Sequence, residues 1–389
     1  MKKKLLRTTL AAAIAVLVPA SGTAQQRSPD ADVVSPEVQP DRHITFRIYA
    51  PDAKKVTIQG GDIPELARTT KPFKKNEKGI WEVTVGPVDP GAYRYRFAVD
   101  GVTTMDSKNP SVSESNTTFW SLVDVPGAEF LDLNQVPHGA VAAVNYYSTS
   151  LKRFRRMHVY TPPGYEAGNQ RYPVFYLLHG SSDSDASWST VGRAGFILDN
   201  LIAAKKAKPM IIVMPAGHTS RMPQGGSASE EFAADFMTDI MPYVEKNYRS
   251  LNDRANRAMA GLSMGGGQTL WIGMAHLDQF AYLGVFSAGV FSNRPRTPAS
   301  AGTPAPPPVV PEQWVQERQA MLDNPALKKG LNVLWFATGK DDFLLPTTKV
   351  TVQMLSDHGF TPVMKESGGG HTWLNWRDYL NEFAPKLFQ

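Results

Sequence analysis

Four runs in this chain are apolar almost without a break: YPVFYLLHG (172–180), PMIIVMPAGH (209–218), YLGVFSAG (282–289) and NVLWFATGK (332–340). A strand reads this way when both its faces are buried, as in a parallel sheet covered by helices on each side. Helical stretches lie around these runs: AGFILDNLIAAKKA, EEFAADFMTDIMPYVEKNY, GGQTLWIGMAHL and TTKVTVQMLSDHG. In the second of these, Phe232, Phe236, Ile240 and Val244 recur at helical spacing. Such alternation predicts an α/β domain with a mostly parallel sheet and helices on both faces. AVAAVNYYS and RFRRMHVYTPPGY read as two paired strands at its start, and RAMAG and TPVMKES as further strands. The domain is assigned to residues 126–389. One piece breaks its order: 293–312, NRPRTPASAGTPAPPPVVPE, is too rich in proline for helix or strand and is expected to be an exposed insertion.

The preceding segment has a different texture. HITFRIYAP, KKVTIQGG, GIWEVTVGPV and GAYRYRFAVDG are short alternating runs separated by turn signals. They predict a small all-β, immunoglobulin-like sandwich over residues 41–125. Tyr93, Tyr95 and Phe97 share one strand face, and Arg94 and Arg96 the other. Alternating aromatics of this kind, with Trp81, are expected to be core. The rival reading makes them stacking platforms for sugar, and Trp120 leaves both readings open.

The chain starts with Lys2, Lys3, Lys4 and Arg7, then the apolar run TLAAAIAVLVPA and the small residues SGTA. That order reads as a secretory signal cleaved after Ala24, followed by a flexible leader over 25–40. The four basic residues account for most of the formal charge of +5, leaving about +1 after cleavage. A near-neutral chain gives little reason to expect a nucleic-acid or anionic-membrane partner. There is no cysteine, which excludes thiol catalysis, zinc–cysteine sites and a lipid-modified N-terminal cysteine. The expected product is a secreted or periplasmic protein without disulfides, with no membrane attachment after signal cleavage. Its oligomeric state is left open.

AMAGLSMGGGQTLW (258–271) sets Ser263 between Gly261 and Gly265. The pattern G-x-S-x-G alone arises by chance roughly once in ten chains of this length. Here it falls between a predicted strand and a predicted helix, the setting of a nucleophile elbow. The helix start offers free N–H groups and a positive dipole end to a developing oxyanion. A base must follow in sequence, and only His276, His358 and His371 do. His276 belongs to the elbow's own helix, and His358 sits at a helix end where a cation is simply favoured. His371, in a loop after SGGG, is the expected base. The acid is expected after the strand NVLWFATG, where Asp341 and Asp342 are adjacent and spacing does not separate them. The oxyanion hole needs two N–H groups, expected from Met264 and from Ser181 in the loop after YLLHG. His179 is read as a structural residue beneath that loop.

YLLHGSSDSDASW, GLSMGG, GKDDFL and GGGHTWLNWRDYL, with VYTPPGY and DIMPYVEKNY, together resemble carbohydrate esterase family 1, the feruloyl and acetylxylan esterases related to esterase D. The resemblance covers about Gly139 to Phe388. It implies an α/β-hydrolase fold and ester hydrolysis without metal or cofactor. It also implies that the acid is Asp342, and it supports the Ser181 N–H. The front segment resembles the early-set sandwiches grouped with carbohydrate-binding family 48. Several feruloyl esterases, and enterobactin-type siderophore esterases, carry such a front module.

The expected partner is therefore an esterified polysaccharide or oligosaccharide, with feruloylated arabinoxylan foremost. Trp188 and Trp373 are expected to line a slot for a planar acyl group. Met222, in HTSRMPQGGS, is expected at the rim. The rival substrates are acetylated xylan and a catecholate siderophore ester, the latter calling for cations such as Arg193 and Arg221. A sugar-binding protein with an inactive hydrolase fold is the non-enzymatic rival.

Overall fold

The computed structural model describes residues 28–66, 69–219, 226–290 and 307–389. An eight-stranded sheet forms the larger part. Its strands are β1 (Ala140–Ser148), β2 (Arg153–Thr161), β3 (Val174–Leu178), β4 (Ile211–Pro215), β5 (Arg257–Leu262), β6 (Tyr282–Phe286), β7 (Val333–Gly339) and β8 (Val363–Ser367). Their order across the sheet is β1-β2-β4-β3-β5-β6-β7-β8. β1–β2 and β2–β4 pair antiparallel, and the remaining pairs are parallel. Every residue of β3, β4, β5 and β6 is buried; the unbroken apolar sequences of β3, β4 and β6 require it. Helices α1 (Ala194–Ala203), α2 (Met264–Ala275), α3 (Leu345–Asp357) and α4 (Trp373–Phe383) are among those that cover the sheet. Two large apolar clusters pack in this domain, one containing Trp188, Phe286 and Phe383, the other Tyr176, Phe236 and Leu283. This is the α/β-hydrolase architecture that the sequence predicted.

The stretch Gly226–Asn247 is helical but not uniform: a π-turn, Phe236–Ile240, lies between two α-helical pieces. It places Asp239 against the hairpin between β1 and β2. There Asp239 accepts from the Thr149 N–H (2.9 Å) and the Ser150 hydroxyl (2.7 Å).

The front module holds two sheets of four and six strands. Its core contains Phe46, Trp81, Tyr93, Tyr95 and Phe97, so these aromatics pack rather than face solvent. Trp120 lies on the other face, with the Arg96 guanidinium 4.1 Å from its ring centroid. The flexible leader expected over 25–40 is corrected from residue 28 onward. Glu37–Val38 pairs with the strand Ile44–Tyr49, and buried Ser35 donates to Asp106 at 2.6 Å. Asp106 also accepts from Tyr95 at 2.8 Å, so the leader completes a buried polar network.

The two modules share one core. Ala92 and Leu122 of the sandwich belong to the same apolar cluster as Trp188 and Trp373. Arg193 of the hydrolase domain pairs with Asp124 of the sandwich at 2.7 Å. Fully buried Arg377 donates to the Ala92 carbonyl (2.7 Å) on one side and the Val191 carbonyl (3.1 Å) on the other. The segment read as a signal (1–24) lies outside the described residues. Of the proline-rich insertion only 307–312 are described, and Glu312 opens the helix Glu312–Leu322. Among the described residues no helix is long and apolar enough to cross a membrane.

Candidate active site

The site forms at the carboxyl ends of β5, β7 and β8. Between β5 and α2 the chain turns on Ser263, whose φ is 52° and ψ −115°. A non-glycine residue at positive φ costs on the order of 1–3 kcal/mol and persists only where its surroundings enforce it. The Ser263 N–H donates to the Phe286 carbonyl of β6 at 2.8 Å and pins the turn. The flanking glycines are a steric necessity. A Cβ on Gly261 would lie 2.4 Å from the Gly265 carbonyl carbon, and one on Gly265 would lie 2.7 Å from the His179 carbonyl oxygen. Helix α2 starts directly after the serine. Its Gly267 N–H bonds back to the Ser263 carbonyl at 3.0 Å, so the N–H groups of the first turn before it are free of the helix ladder.

His371, in the loop between β8 and α4, brings its Nε2 to 3.0 Å from the Ser263 Oγ. Its Nδ1 lies 2.9 Å from Asp342 Oδ2 and 3.1 Å from Oδ1. A Nδ1–H donor to the carboxylate leaves Nε2 as the acceptor facing the serine hydroxyl. Of the two adjacent carboxylates, Asp341 is exposed and Asp342 buried. Burial opposes ionisation of Asp342, but the His371 hydrogen bond and charge, with the Leu344 N–H at 2.9 Å, hold its carboxyl below the usual range. The imidazole sits between two aromatic rings. Phe343 is 61% exposed with its centroid 4.6 Å away, and Trp376 meets the ring edge-on at 5.0 Å. The Trp376 indole N–H donates to the Ser287 hydroxyl at 3.0 Å, which fixes that wall.

Gly180 brings the loop after β3 against the nucleophile: a Cβ there would lie 3.6 Å from the Ser263 Cβ. Ser181 follows Gly180 in this loop, and Met264, the first residue of α2, follows the serine. His179 is buried beneath this loop. Its Nε2 accepts the Gly217 N–H at 2.8 Å, and its Nδ1 donates to the Gly180 carbonyl at 2.8 Å. Burial lowers its pKa to about 4, so the ring is neutral and both nitrogens are occupied.

The substrate-contact expectations fare differently. Trp188 and Trp373 are not on a wall: they are 0% and 1% exposed and pack edge-to-face at 5.0 Å within the core. The Trp188 indole N–H is taken by the Leu178 carbonyl at 3.0 Å. An apolar ring this close to a sheet end gains more by filling the core than by waiting for a ligand. Met222 and Arg221 lie outside the described residues. Arg193, the other cation considered for an anionic substrate, is buried in its pair with Asp124. Phe343 was missed: FL after the aspartates reads as the start of an apolar run, and nothing local marks its ring as exposed. No group of three or more His, Asp or Glu side chains suited to a metal occurs among the described residues.

Fold and geometry together define the class: an α/β-hydrolase with a Ser–His–carboxylate arrangement on a strand–turn–helix elbow. Residues 148–387 match the family model described as "Putative esterase", and the chain belongs to this esterase family. Residues 34–113 match carbohydrate-binding module 48, the isoamylase N-terminal domain, in agreement with the resemblance of the front module. An "Endo-1,4-beta-xylanase/feruloyl esterase" of Xylanibacter ruminicola is 30% identical over 366 residues, covering 91% of this chain and 46% of that protein. The chain thus spans less than half the length of that curated relative, and 26% of an "Endo-1,4-beta-xylanase Y" of Acetivibrio thermocellus that it matches at 27% identity over 72% of its own length. A solved ferulic acid esterase aligns with TM-score 0.52 and 28% identity, over 64% of this chain and 97% of the other. The enterobactin esterase of Shigella flexneri aligns over 89% of this chain and 93% of its own, with TM-score 0.58. At 16% identity that likeness concerns the fold alone.

Proposed function

We propose that this chain is a secreted serine carboxylic-ester hydrolase that acts on ester-decorated plant polysaccharide, foremost by releasing ferulate from feruloylated arabinoxylan. One observation carries the chemistry: His371 bridges Ser263 Oγ at 3.0 Å and Asp342 at 2.9 Å. Ser263 Oγ attacks the ester carbonyl while His371 Nε2 takes its proton. The Met264 and Ser181 N–H groups receive the oxyanion. Collapse of the tetrahedral intermediate breaks the ester C–O bond, and His371 gives its proton to the leaving sugar hydroxyl. Water, deprotonated by His371, then hydrolyses the acyl-enzyme. Asp342 holds the imidazole tautomer throughout and stabilises its charged form.

The relative of Xylanibacter ruminicola and the solved ferulic acid esterase support the acyl group by name. Phe343 supports it physically, as an exposed aromatic face beside the base. Secretion is supported by the basic start and apolar run of residues 1–24. The test is hydrolysis of methyl ferulate and of acetylated xylan by the wild type and by Ser263→Ala. Ferulate release well above acetate release, abolished in Ser263→Ala, is the expected result. Acetate release alone moves the substrate to acetylated hemicellulose. Full activity in Ser263→Ala rejects the site.

A further inference from the structure

The loop after β3 is gripped by the sandwich. The Asn116 N–H donates to the Ser182 carbonyl at 3.1 Å, and the Ser184 and Ser187 hydroxyls both donate to the Glu114 carbonyl at 3.1 Å. The grip centres on one guanidinium. Arg94 Nη1 donates to Asp183 Oδ1 at 2.8 Å, while its Nε and Nη2 hold Asp62 at 2.7 and 2.9 Å. Asp183 is 1% exposed and Arg94 8%. Arg94 therefore serves one carboxylate of its own module and one of the hydrolase domain. Burial pushes the Asp183 carboxyl up, and Arg94 opposes that rise.

Asp183 packs against Gly180, the residue that approaches Ser263. Its N–H donates to the Gly180 carbonyl at 3.1 Å. A Cβ on Gly180 would meet both Asp183 Oδ2, at 3.2 Å, and the Ser263 Cβ, at 3.6 Å. Gly180 is thus a near neighbour of both the carboxylate and the serine, and the next peptide N–H is that of Ser181. An oxyanion donor acts over a narrow range, about 2.7–3.1 Å from the developing charge. Whatever fixes Gly180–Asp183 fixes that distance.

We propose that Arg94 of the N-terminal sandwich is a positioning residue for the oxyanion-binding loop, acting through its ion pair with Asp183. The sandwich is on this view a working part of the active centre rather than a detachable module. The inference rests on the Ser181 N–H being an oxyanion donor, as in the proposed function. A displaced donor weakens the transition state and leaves ground-state binding almost untouched.

The experiment compares Arg94→Met, Arg94→Lys, Asp183→Asn and Ser263→Ala in the full chain. The substrate is p-nitrophenyl acetate, which is indifferent to the natural acyl group. The probe is an aryl boronic acid, which adds to Ser263 Oγ as a tetrahedral anion. For Arg94→Met the expected kcat is lower by about tenfold or more, with KM changed by less than about threefold. The boronate Kd rises by the same factor as kcat falls, and Arg94→Lys recovers part of both. A kcat and a boronate affinity within about twofold of wild type overturn the proposal. So does a kcat loss with unchanged boronate affinity, which marks an inactive fraction. If Arg94→Met fails to fold, Asp183→Asn keeps the shape and carries the same expected and overturning results. Activity retained in Ser263→Ala rejects the site itself, whereas an inactive Ser263→Ala beside a normal Arg94→Met rejects Arg94 alone.

Discussion

Asp341 and Asp342 show how much one residue step decides. Both sit in GKDDFL, and no local property separates them. The backbone after β7 turns one into solvent and the other under His371, where the Leu344 N–H and the imidazole compensate its charge. Asp342→Asn keeps the shape but favours the imidazole tautomer that cannot accept the serine proton. The expected kcat loss is about 10³- to 10⁴-fold with KM little changed, read from steady-state kinetics on a soluble ester. A loss below about tenfold would count against Asp342 as the orienting acid. Trp188 and Trp373 carry the opposite lesson. Their closeness in sequence to the loop and the base suggested a lining role, yet both rings turn inward. Closeness along the chain does not specify the side from which a ring approaches.

The elements were legible where a period or an unbroken apolar run marked them. β3, β4 and β6 are buried on both faces and read that way. The strand Val112–Glu114, short and polar, carried no such signal, because its stability comes from pairing with Phe119–Val125. The π-turn at Phe236–Ile240 was also hidden, since apolar spacing does not count backbone bonds. That turn has a measurable consequence. Burial opposes ionisation of Asp239, but the hydroxyl and N–H groups of Thr149 and Ser150 outweigh it and pull its pKa from 3.8 down to about 2. A depressed carboxyl pKa stabilises the fold above the unfolded value, and this contribution is lost as pH falls through the folded value. Asp239→Asn is thus expected to lower stability by roughly 1 kcal/mol at pH 7, after solvent screening of a carboxyl near the surface. The difference should narrow as pH falls from about 4 toward 2. Urea midpoints of the two proteins at pH 7 and at the lowest pH both tolerate check this, and a gap independent of pH counts against it.

At the scale of the molecule, the two modules share a core and are expected to fold as one unit. Ala92 and Leu122 complete the hydrolase core, and Arg94 compensates the buried Asp183. Removing one partner of a buried pair costs about 3–5 kcal/mol, a large part of ordinary net stability. Residues 126–389 expressed alone are therefore expected to be insoluble, or to melt roughly 10 °C or more below the full chain. A soluble fragment with the Tm of the full chain would show the interface to be dispensable.

The sequence by itself determined the α/β architecture, the all-β module before it and the serine elbow. It did so because burial on both faces, alternation and the G-x-S-x-G turn are local constraints that leave local marks. The family resemblance singled out Asp342, whereas chain order and loop position already proposed His371 and the loop at Ser181. Only the tertiary structure decided that Trp188 and Trp373 are core, that Phe343 stands beside His371, and that Arg94 reaches Asp183 in the loop after β3. Each of these depends on which surfaces meet when distant segments pack. A side chain's neighbours across an interface are not encoded in its own stretch of chain.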